Sequence, residues 1–352
     1  MTSITPAART RSVKPYRRAA PAASAGTRHE LLHLDANEGP LSLMSRLAFS
    51  PAPDDLRGYP DASALEDALA ARLGVRPEQI VATAGGDDAL QRVCQAVLEP
   101  GASAVATTPT FEMIPRYASL AGGELRQVPW MRGSFPTGDV INAVTADTQA
   151  VFVVTPNNPT GGIASAQDLR RISAAAPHAL LVVDLAYTEL ADIDLTPVAL
   201  SLPNTIIVRT FSKAWGLAGL RVGYAAGCEQ AISLLRAVGQ PYAVSGPSAS
   251  LALRALSTLD TQVAEAVAVV REERAILARS LARIGCEVLP SQGNFVLAMS
   301  PRSAELHAFL RNHGIIVREF HGRPGLDQAL RITCPGDTTA FSRLIDRLES
   351  FR

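Results

Sequence analysis

The sequence predicts an α/β protein: a mainly parallel sheet flanked by helices in a large domain, plus a smaller α+β domain. Three observations carry this expectation. Between residues 55 and 245, short apolar runs of strand length alternate with helical segments. Polar clusters follow the ends of those runs: Gly86-Asp87-Asp88, Asn157-Asn158, Asp184 with Tyr187, and Thr210 to Lys213. Open parallel sheets bind their ligands beyond such strand ends. Past about residue 245 the pattern changes to a long helical stretch and then short strands.

The elements follow in order. Pro60 to Leu73 places Leu65, Leu69 and Leu73 at helical spacing, and Gly74 stops it. Gln79 to Ala84 reads as a strand. Gly85-Gly86-Asp87-Asp88 leads into a helix from Ala89 to Leu98, closed by Pro100-Gly101. Ala104 to Thr107 and Leu125 to Pro129 are strands, with a helix over Pro109 to Leu120 between them. Ala150 to Val154 is an apolar strand cut off by Pro156-Asn157-Asn158-Pro159. A helix covers Ala166 to Ala175. Leu180 to Val183 ends in Asp184, and Ile206 to Arg209 ends in Thr210 to Lys213. A helical stretch runs from Ser248 through Leu281. The strands near Glu287 to Pro290, Asn294 to Ala298, Ile315 to Arg318 and Leu330 to Thr333 complete the smaller domain. The expected division is an N-terminal arm over 1–30, a large domain over 55–245, and a small domain over 31–54 with 246–352.

Composition narrows the function. The 352 residues carry 33 basic and 33 acidic side chains, for a net charge of zero; 47% are apolar and 19% charged. That excludes a disordered chain and a coiled coil. It also argues against nucleic acid or an anionic membrane as the main partner, since both select a basic excess. The longest apolar runs, such as Ala150 to Val154 and Ala179 to Val183, fall far short of the roughly 20 residues a bilayer span needs. Cys94, Cys228, Cys286 and Cys334 form no CxxC pair and no zinc spacing, so reduced thiols, a cytoplasmic location and no metal are expected. The first thirty residues hold Arg9, Arg11, Lys14, Arg17, Arg18 and Arg28 against the single acid Glu30. Without the apolar core of roughly 7–15 residues that a secretory signal needs, this reads as an extended arm lying on a surface. An organellar transit peptide is the alternative.

Of the 33 basic residues only Lys14 and Lys213 are lysines, so chemistry that needs an amine has two places to go. The usual nucleotide-binding and serine-hydrolase motifs are absent. The strand-end clusters instead suit pyridoxal 5'-phosphate. This cofactor needs an amine, a carboxylate for its pyridinium nitrogen, donors for its phenolate oxygen and an anion site for its phosphate. Lys213 comes in the segment immediately after a strand, Asp184 ends the preceding strand, and Tyr187 lies three residues on from Asp184. Asn158 offers an amide on a rigid loop. Gly85 to Asp88 opens a helix whose free N–H groups can hold a phosphate, and Arg221 can add a bidentate contact. Each feature alone has an ordinary reading as a cap, a turn or a surface residue; their joint order carries the argument.

With these residues in place, the chain resembles the fold-type I pyridoxal-phosphate enzymes of the class II aminotransferase branch, and within it most closely the histidinol-phosphate aminotransferase group. The resemblance covers nearly the whole chain. Its most specific blocks are Arg209-Thr210-Phe211-Ser212-Lys213-Ala214 and Leu217-Ala218-Gly219-Leu220-Arg221-Val222-Gly223. Next come Thr155 to Gly161 and Val183 to Tyr187, with support from Lys14-Pro15-Tyr16, Leu34 to Glu38, Gly58-Tyr59-Pro60, Ser291 to Phe295 and Leu330 to Thr333.

The resemblance implies a role for each matching residue. Lys213 would be the Schiff-base lysine and proton shuttle, and Asp184 would keep the pyridine nitrogen protonated. Tyr187 and Asn158 would bond the phenolate oxygen. Gly86 and Asp87 backbone groups, Thr210, Ser212 and Arg221 would hold the phosphate. Tyr59 would reach that phosphate from the neighbouring subunit of an obligate homodimer, and the arm would reach the neighbouring site with Tyr16. Asn37, Arg331 and Arg318 would bind substrate, Arg331 at its acidic end and Arg318 at a phosphate. The chain departs from the family at Phe111, where a tyrosine usually stacks on the cofactor; at Leu185, in place of a glutamate; and at Gly39-Pro40. The implied activity is transamination from a histidinol-phosphate-like or aromatic donor to 2-oxoglutarate. An aminotransferase of a specialised biosynthetic pathway and a decarboxylase of a phosphorylated amino acid share the same scaffold. A non-catalytic regulator is disfavoured, because the segment before the first family-like block cannot hold a DNA-binding domain.

Overall fold

The computed structural model describes residues 7–10, 13, 31–46, 52–320 and 322–351. Among them, twelve strands form two sheets. The first strand, β1 (Leu32–Leu34), belongs to the smaller sheet. The larger sheet is built from β2 (Ile80–Thr83), β3 (Ser103–Thr108), β4 (Glu124–Pro129), β5 (Thr148–Val154), β6 (Leu180–Asp184), β7 (Thr205–Thr210) and β8 (Gly223–Gly227). Their order is β2-β8-β7-β6-β5-β3-β4. Neighbours are parallel except at β8, which runs antiparallel to both β7 and β2.

Burial on both faces explains why the central strands read as unbroken apolar runs. Val151, Val153, Leu181, Val183 and Ile207 pack into one core. Ala150, Phe152, Val154, Val182, Ile206 and Val208, which alternate with them, pack into the other. That second core is closed by Leu90 and Val93 of the helix Gly86–Val97, Ile114 of the helix Met113–Ala121, and Ile232 and Leu235 of the helix Glu229–Val238.

The smaller sheet has the order β1-β11-β12-β10-β9, with β9 (Glu287–Val288), β10 (Phe295–Met299), β11 (Ile315–Glu319) and β12 (Ala329–Thr333). β1 adds parallel to β11, so the chain just after residue 31 joins residues near 315. The long helix Asp260–Arg283 packs Val270, Leu277 and Leu281 into the core shared with Val296, Ile315 and Ile332.

Several expectations need correcting in detail. The helical stretch from Ser248 through Leu281 is two helices, Gly246–Thr258 and Asp260–Arg283, parted at Leu259, whose φ of −112° and ψ of 9° leave the helical region. The helix expected from Pro60 starts at Ser63, because the Asp61 carboxylate accepts a bond from the Ser63 N–H at 2.8 Å and turns the chain first. The helix expected from Ala89 begins three residues earlier, at Gly86. β1 and β8 were not among the expected strands. Among the described residues, no helix is long and apolar enough to cross a membrane.

Candidate active site

The register aligns the polar strand ends. Val154 of β5 pairs with Asp184 of β6, and Asp184 with Val208 of β7, so the loops that follow emerge at one edge of the sheet. Thr155 N–H bonds the Asp184 carbonyl at 3.0 Å and Leu185 N–H the Val208 carbonyl at 2.9 Å, which ties the three loops together at their roots.

An anion cradle forms beside this edge. Gly85 sits at φ 83° before the helix Gly86–Val97, a conformation open mainly to glycine. A Cβ there would lie 2.7 Å from Nη2 of Arg221, and one on Gly223 would lie 2.8 Å from the Gly86 nitrogen. The glycines therefore let Arg221 and β8 close on the helix start. Arg221, itself at φ 53°, donates to Asp87 Oδ2 at 3.1 Å and to Ser212 Oγ at 3.4 Å. Thr210 Oγ1 donates to Ser212 Oγ at 2.9 Å. Gly86, Asp87, Thr210, Ser212 and Arg221 thus converge on one helix N-terminus, where free N–H groups and the helix dipole favour an anion.

Asp184 is buried at the end of β6, and its carboxylate accepts from the Ala186 N–H at 3.0 Å. Desolvation pushes its carboxyl up to about 7, helped by the nearby Asp87 charge. Among the described residues it makes no salt bridge. A buried carboxylate so placed is costly unless a cation meets it. The folded-state value lies above the ordinary 3.8, so the folded chain holds this proton more tightly than the unfolded chain, and stability is lost as pH rises from about 4 to about 7. In the cofactor-free protein, Asp184→Asn should therefore gain melting temperature over wild type between pH 5 and pH 7, with the gap level above that. A gap independent of pH in thermal melts would contradict this.

Lys213 follows β7, and its Nζ donates to the carbonyls of Asn37 at 2.6 Å and Ala36 at 3.4 Å. Desolvation, and after it the Arg331 charge, lower its ammonium to about 8. The amine lies 5.5 Å from the centre of the Tyr187 ring. Tyr187 is buried, and burial pushes its phenol up to about 12. Its oxygen accepts from Asn37 Nδ2 at 3.0 Å. Asn37, at φ 52°, exchanges bonds with Thr333 through both its N–H and its Oδ1, each at 3.1 Å. A residue expected to touch substrate thus also links the Tyr187 loop, Lys213 and β12.

Asn158 Oδ1 accepts from Arg331 Nη1 at 2.6 Å, which leaves its amide N–H₂ as the donor side of the group. Arg331 also donates to the Asp35 carbonyl at 2.6 Å. Phe111 is half-buried against the helix-side core, directly after Thr110. Arg318 pairs across the sheet with Arg331, Cα to Cα, so both side chains rise from one face. Arg318 Nη2 bonds Glu112 Oε1 at 3.2 Å rather than the adjacent Glu319, which pairs with His307. Tyr59 is 83% exposed and stacks on Tyr242 with centroids 4.5 Å apart. Tyr16 and most of the arm lie outside the described residues.

Several further residues shape the site: Asn157, Asn294 and Arg209 lie in the matching blocks but were assigned no role, and Glu189 carried no motif. Asn157 is buried; its Oδ1 accepts from Thr110 Oγ1 at 2.8 Å, and its amide donates to Pro109 O and Thr160 Oγ1, both at 2.9 Å. It fixes the Asn158 loop to the Phe111 segment. Asn294 donates to the Glu38 carbonyl at 2.7 Å and so holds the loop under Lys213. Glu189 Oε1 accepts from Arg209 at 2.6 Å and from Trp215 Nε1 at 3.2 Å, bridging the loop after Tyr187 to the loop after Lys213. The signal for Glu189 and Arg209 was available: charged residues in otherwise apolar surroundings are buried only when paired.

A buried carboxylate with no salt bridge among the described residues, a part-buried amine and a helix start suited to an anion stand at one sheet edge, an arrangement that fits a cofactor for amine chemistry. The chain belongs to the aminotransferase class I and II family, whose model matches residues 43–348, and it is a pyridoxal-phosphate-dependent transferase. It is 34% identical over 325 residues to the histidinol-phosphate aminotransferase of Salmonella schwarzengrund, covering 90% of this chain and 89% of that one. The histidinol-phosphate aminotransferase of Aeromonas hydrophila is 32% identical over 308 residues, covering 85% of each. The fold superposes with a TM-score of 0.77 and 27% identity on a histidinol-phosphate aminotransferase from Sinorhizobium meliloti in complex with pyridoxal-5'-phosphate, over 91% of each chain.

Proposed function

We propose that the protein transfers the amino group of histidinol phosphate, or of a closely similar imidazole or aromatic donor, to 2-oxoglutarate. The residues present fit pyridoxal phosphate: a pyridinium nitrogen would meet the carboxylate of Asp184, which otherwise has one backbone partner, and a phosphate would meet the cradle of Gly86, Asp87, Thr210, Ser212 and Arg221. When bound, the cofactor supplies an aldehyde for the amine and a ring that accepts the electron pair released at the substrate Cα.

Within that reading, Asp184 holds a proton on the ring nitrogen. Asn158 donates to the phenolate oxygen from the amide side that Arg331 leaves open, and Tyr187 donates its hydroxyl proton there while its oxygen accepts from Asn37. Phe111 covers the ring and excludes water from it. Lys213 carries the cofactor and moves the proton at Cα; its lowered pKa leaves a usable fraction of free amine near neutrality. Asn37 lies against the substrate while steadying Tyr187. The large domain spans 55–245, and 31–54 with 246–352 form the small one. The protein works in the cytoplasm as a homodimer, in which Tyr59 of the partner subunit and the arm with its Tyr16 complete each site. The exposure of Tyr59 suits that role.

The observation that carries the donor assignment is the cross-strand pairing of Arg318 with Arg331. Two guanidiniums on one face favour a dianion between them, and a phosphate monoester supplies nearly two charges and enough oxygens for both. A carboxylate is served by Arg331 alone. Arg318→Ala should therefore lower kcat/KM for histidinol phosphate by about 1.5–3 kcal/mol, roughly tenfold to a hundredfold. The slow reaction with phenylalanine should barely change. Equal losses for both donors would remove the phosphate assignment. A half-reaction screen across amino donors, read by the cofactor's absorbance without keto acid, tests the activity itself. A decarboxylase would turn over with no acceptor at all.

A further inference from the structure

We propose that Glu112 is a resident counter-ion of the substrate-anion pocket: it competes with the substrate's phosphate for Arg318 and Arg323 and thereby sets the preference between phosphorylated and unphosphorylated donors. The inference rests on the placement of the donor phosphate at Arg318, and it concerns a residue that the activity does not otherwise use.

Glu112 follows Phe111 and stands at the first boundary position of the helix Met113–Ala121. A carboxylate there usually bonds the helix's own free N–H groups, yet its side chain makes no such bond. It reaches instead to the small sheet, 206 residues further along the chain. One oxygen accepts from Arg318 Nη2 at 3.2 Å and the other pairs with Arg323. The ion pairs are partly buried, with about a fifth of the Glu112 and Arg318 side chains exposed. They are therefore less screened than surface pairs.

The surroundings are those of an anion pocket. The guanidinium carbons of Arg318, Arg323 and Arg331 lie 6.0, 5.8 and 5.9 Å from the centre of a single ring, Phe320. Three positive groups thus surround one apolar platform, and Glu112 is the carboxylate that pairs with two of them. Arg331 is held separately by Asn158 and the Asp35 carbonyl. A monoanionic carboxylate docking on Arg331 leaves the Glu112 pairs in place. A phosphate dianion drawn to Arg318 must share or displace that carboxylate, and the repulsion it meets is twice that of a monoanion at the same distance. The negative charge of Glu112 thus weakens phosphate binding selectively.

The test uses the cofactor-loaded protein, so that the cofactor's own phosphate site is filled. Inorganic phosphate binding is measured by calorimetry for wild type, Glu112→Gln and Glu112→Asp. Glu112→Gln keeps the shape and removes the charge; it should bind phosphate about tenfold tighter, or about 1.4 kcal/mol. Glu112→Asp keeps the charge and should stay within about threefold of wild type. In parallel, the ratio of kcat/KM for histidinol phosphate over phenylalanine should rise about tenfold in Glu112→Gln. Phosphate affinity unchanged or weaker in Glu112→Gln would overturn the proposal, because Glu112 would then hold the arginines in place for the anion. An equal change for both donors would overturn it too. If wild type does not use the phosphorylated donor but Glu112→Gln still tightens phosphate, the donor assignment fails and the counter-ion role stands.

Discussion

Lys213→Ala is expected to abolish turnover while the protein still folds and still takes up pyridoxal phosphate. The loss should be on the order of 10⁴-fold or more, because the substitution removes both the covalent attachment point and the general base at Cα. The chain holds one other lysine, Lys14, which lies outside the described residues. The anion cradle is made by Gly86, Asp87, Thr210, Ser212 and Arg221, none of which depends on the lysine side chain. Noncovalent cofactor binding should therefore survive. A structural cost is also expected. The amine satisfies the carbonyls of Asn37 and Ala36, so its removal should lower stability by about 1–3 kcal/mol. Single-turnover absorbance and thermal melting separate the two effects. Turnover within tenfold of wild type would contradict the assignment.

Asp184→Asn is the second large effect. The carboxylate is buried at the end of β6 and is raised to about 7 by desolvation, so it is poised to hold a proton shared with a ring nitrogen. Asparagine keeps the volume and the contact with the Ala186 N–H but removes the charge. The protonated ring is then less favoured, and the electron pair from Cα is harder to accept. Loss of a charge-assisted bond in such a site is worth about 1.5–3 kcal/mol, or roughly tenfold to a hundredfold in kcat. The same change should stabilise the cofactor-free protein at neutral pH, so stability and activity move in opposite directions. A merely structural residue would lose both together. Unchanged kcat would rule out the proposed role.

The sheet edge was legible in the sequence because its signals are local. Asp184 closes an apolar run, Lys213 stands three residues past the end of the next strand, and Gly85 precedes a helix whose first turn is acidic. What was not legible falls into two physical kinds. β8 reads Gly-Tyr-Ala-Ala-Gly, in which only Tyr224 favours a strand, and forms because it is buried between β2 and β7. The break at Leu259 likewise has no glycine or proline to announce it, and is seen only in its backbone angles. The second kind is pairing across long stretches of chain. Glu112 with Arg318, Asn37 with Tyr187 and Thr333, and Asn294 with Glu38 span 150 to 296 residues. Neither partner in such a pair marks the other. Arg318 shows the consequence: successive residues on a strand point to opposite faces, so the adjacent Glu319 does not meet it, and its partner is Glu112 on another element, 206 residues away.

The central claim is that one lysine carries the cofactor and the proton. Borohydride reduction of the cofactor-loaded protein, followed by proteolysis and mass spectrometry of the labelled peptide, tests it most directly. The label should sit on Lys213, in the peptide that also holds Ser212 and Ala214, at one cofactor per chain. A label on Lys14, or no covalent label on a protein with full absorbance, would contradict it.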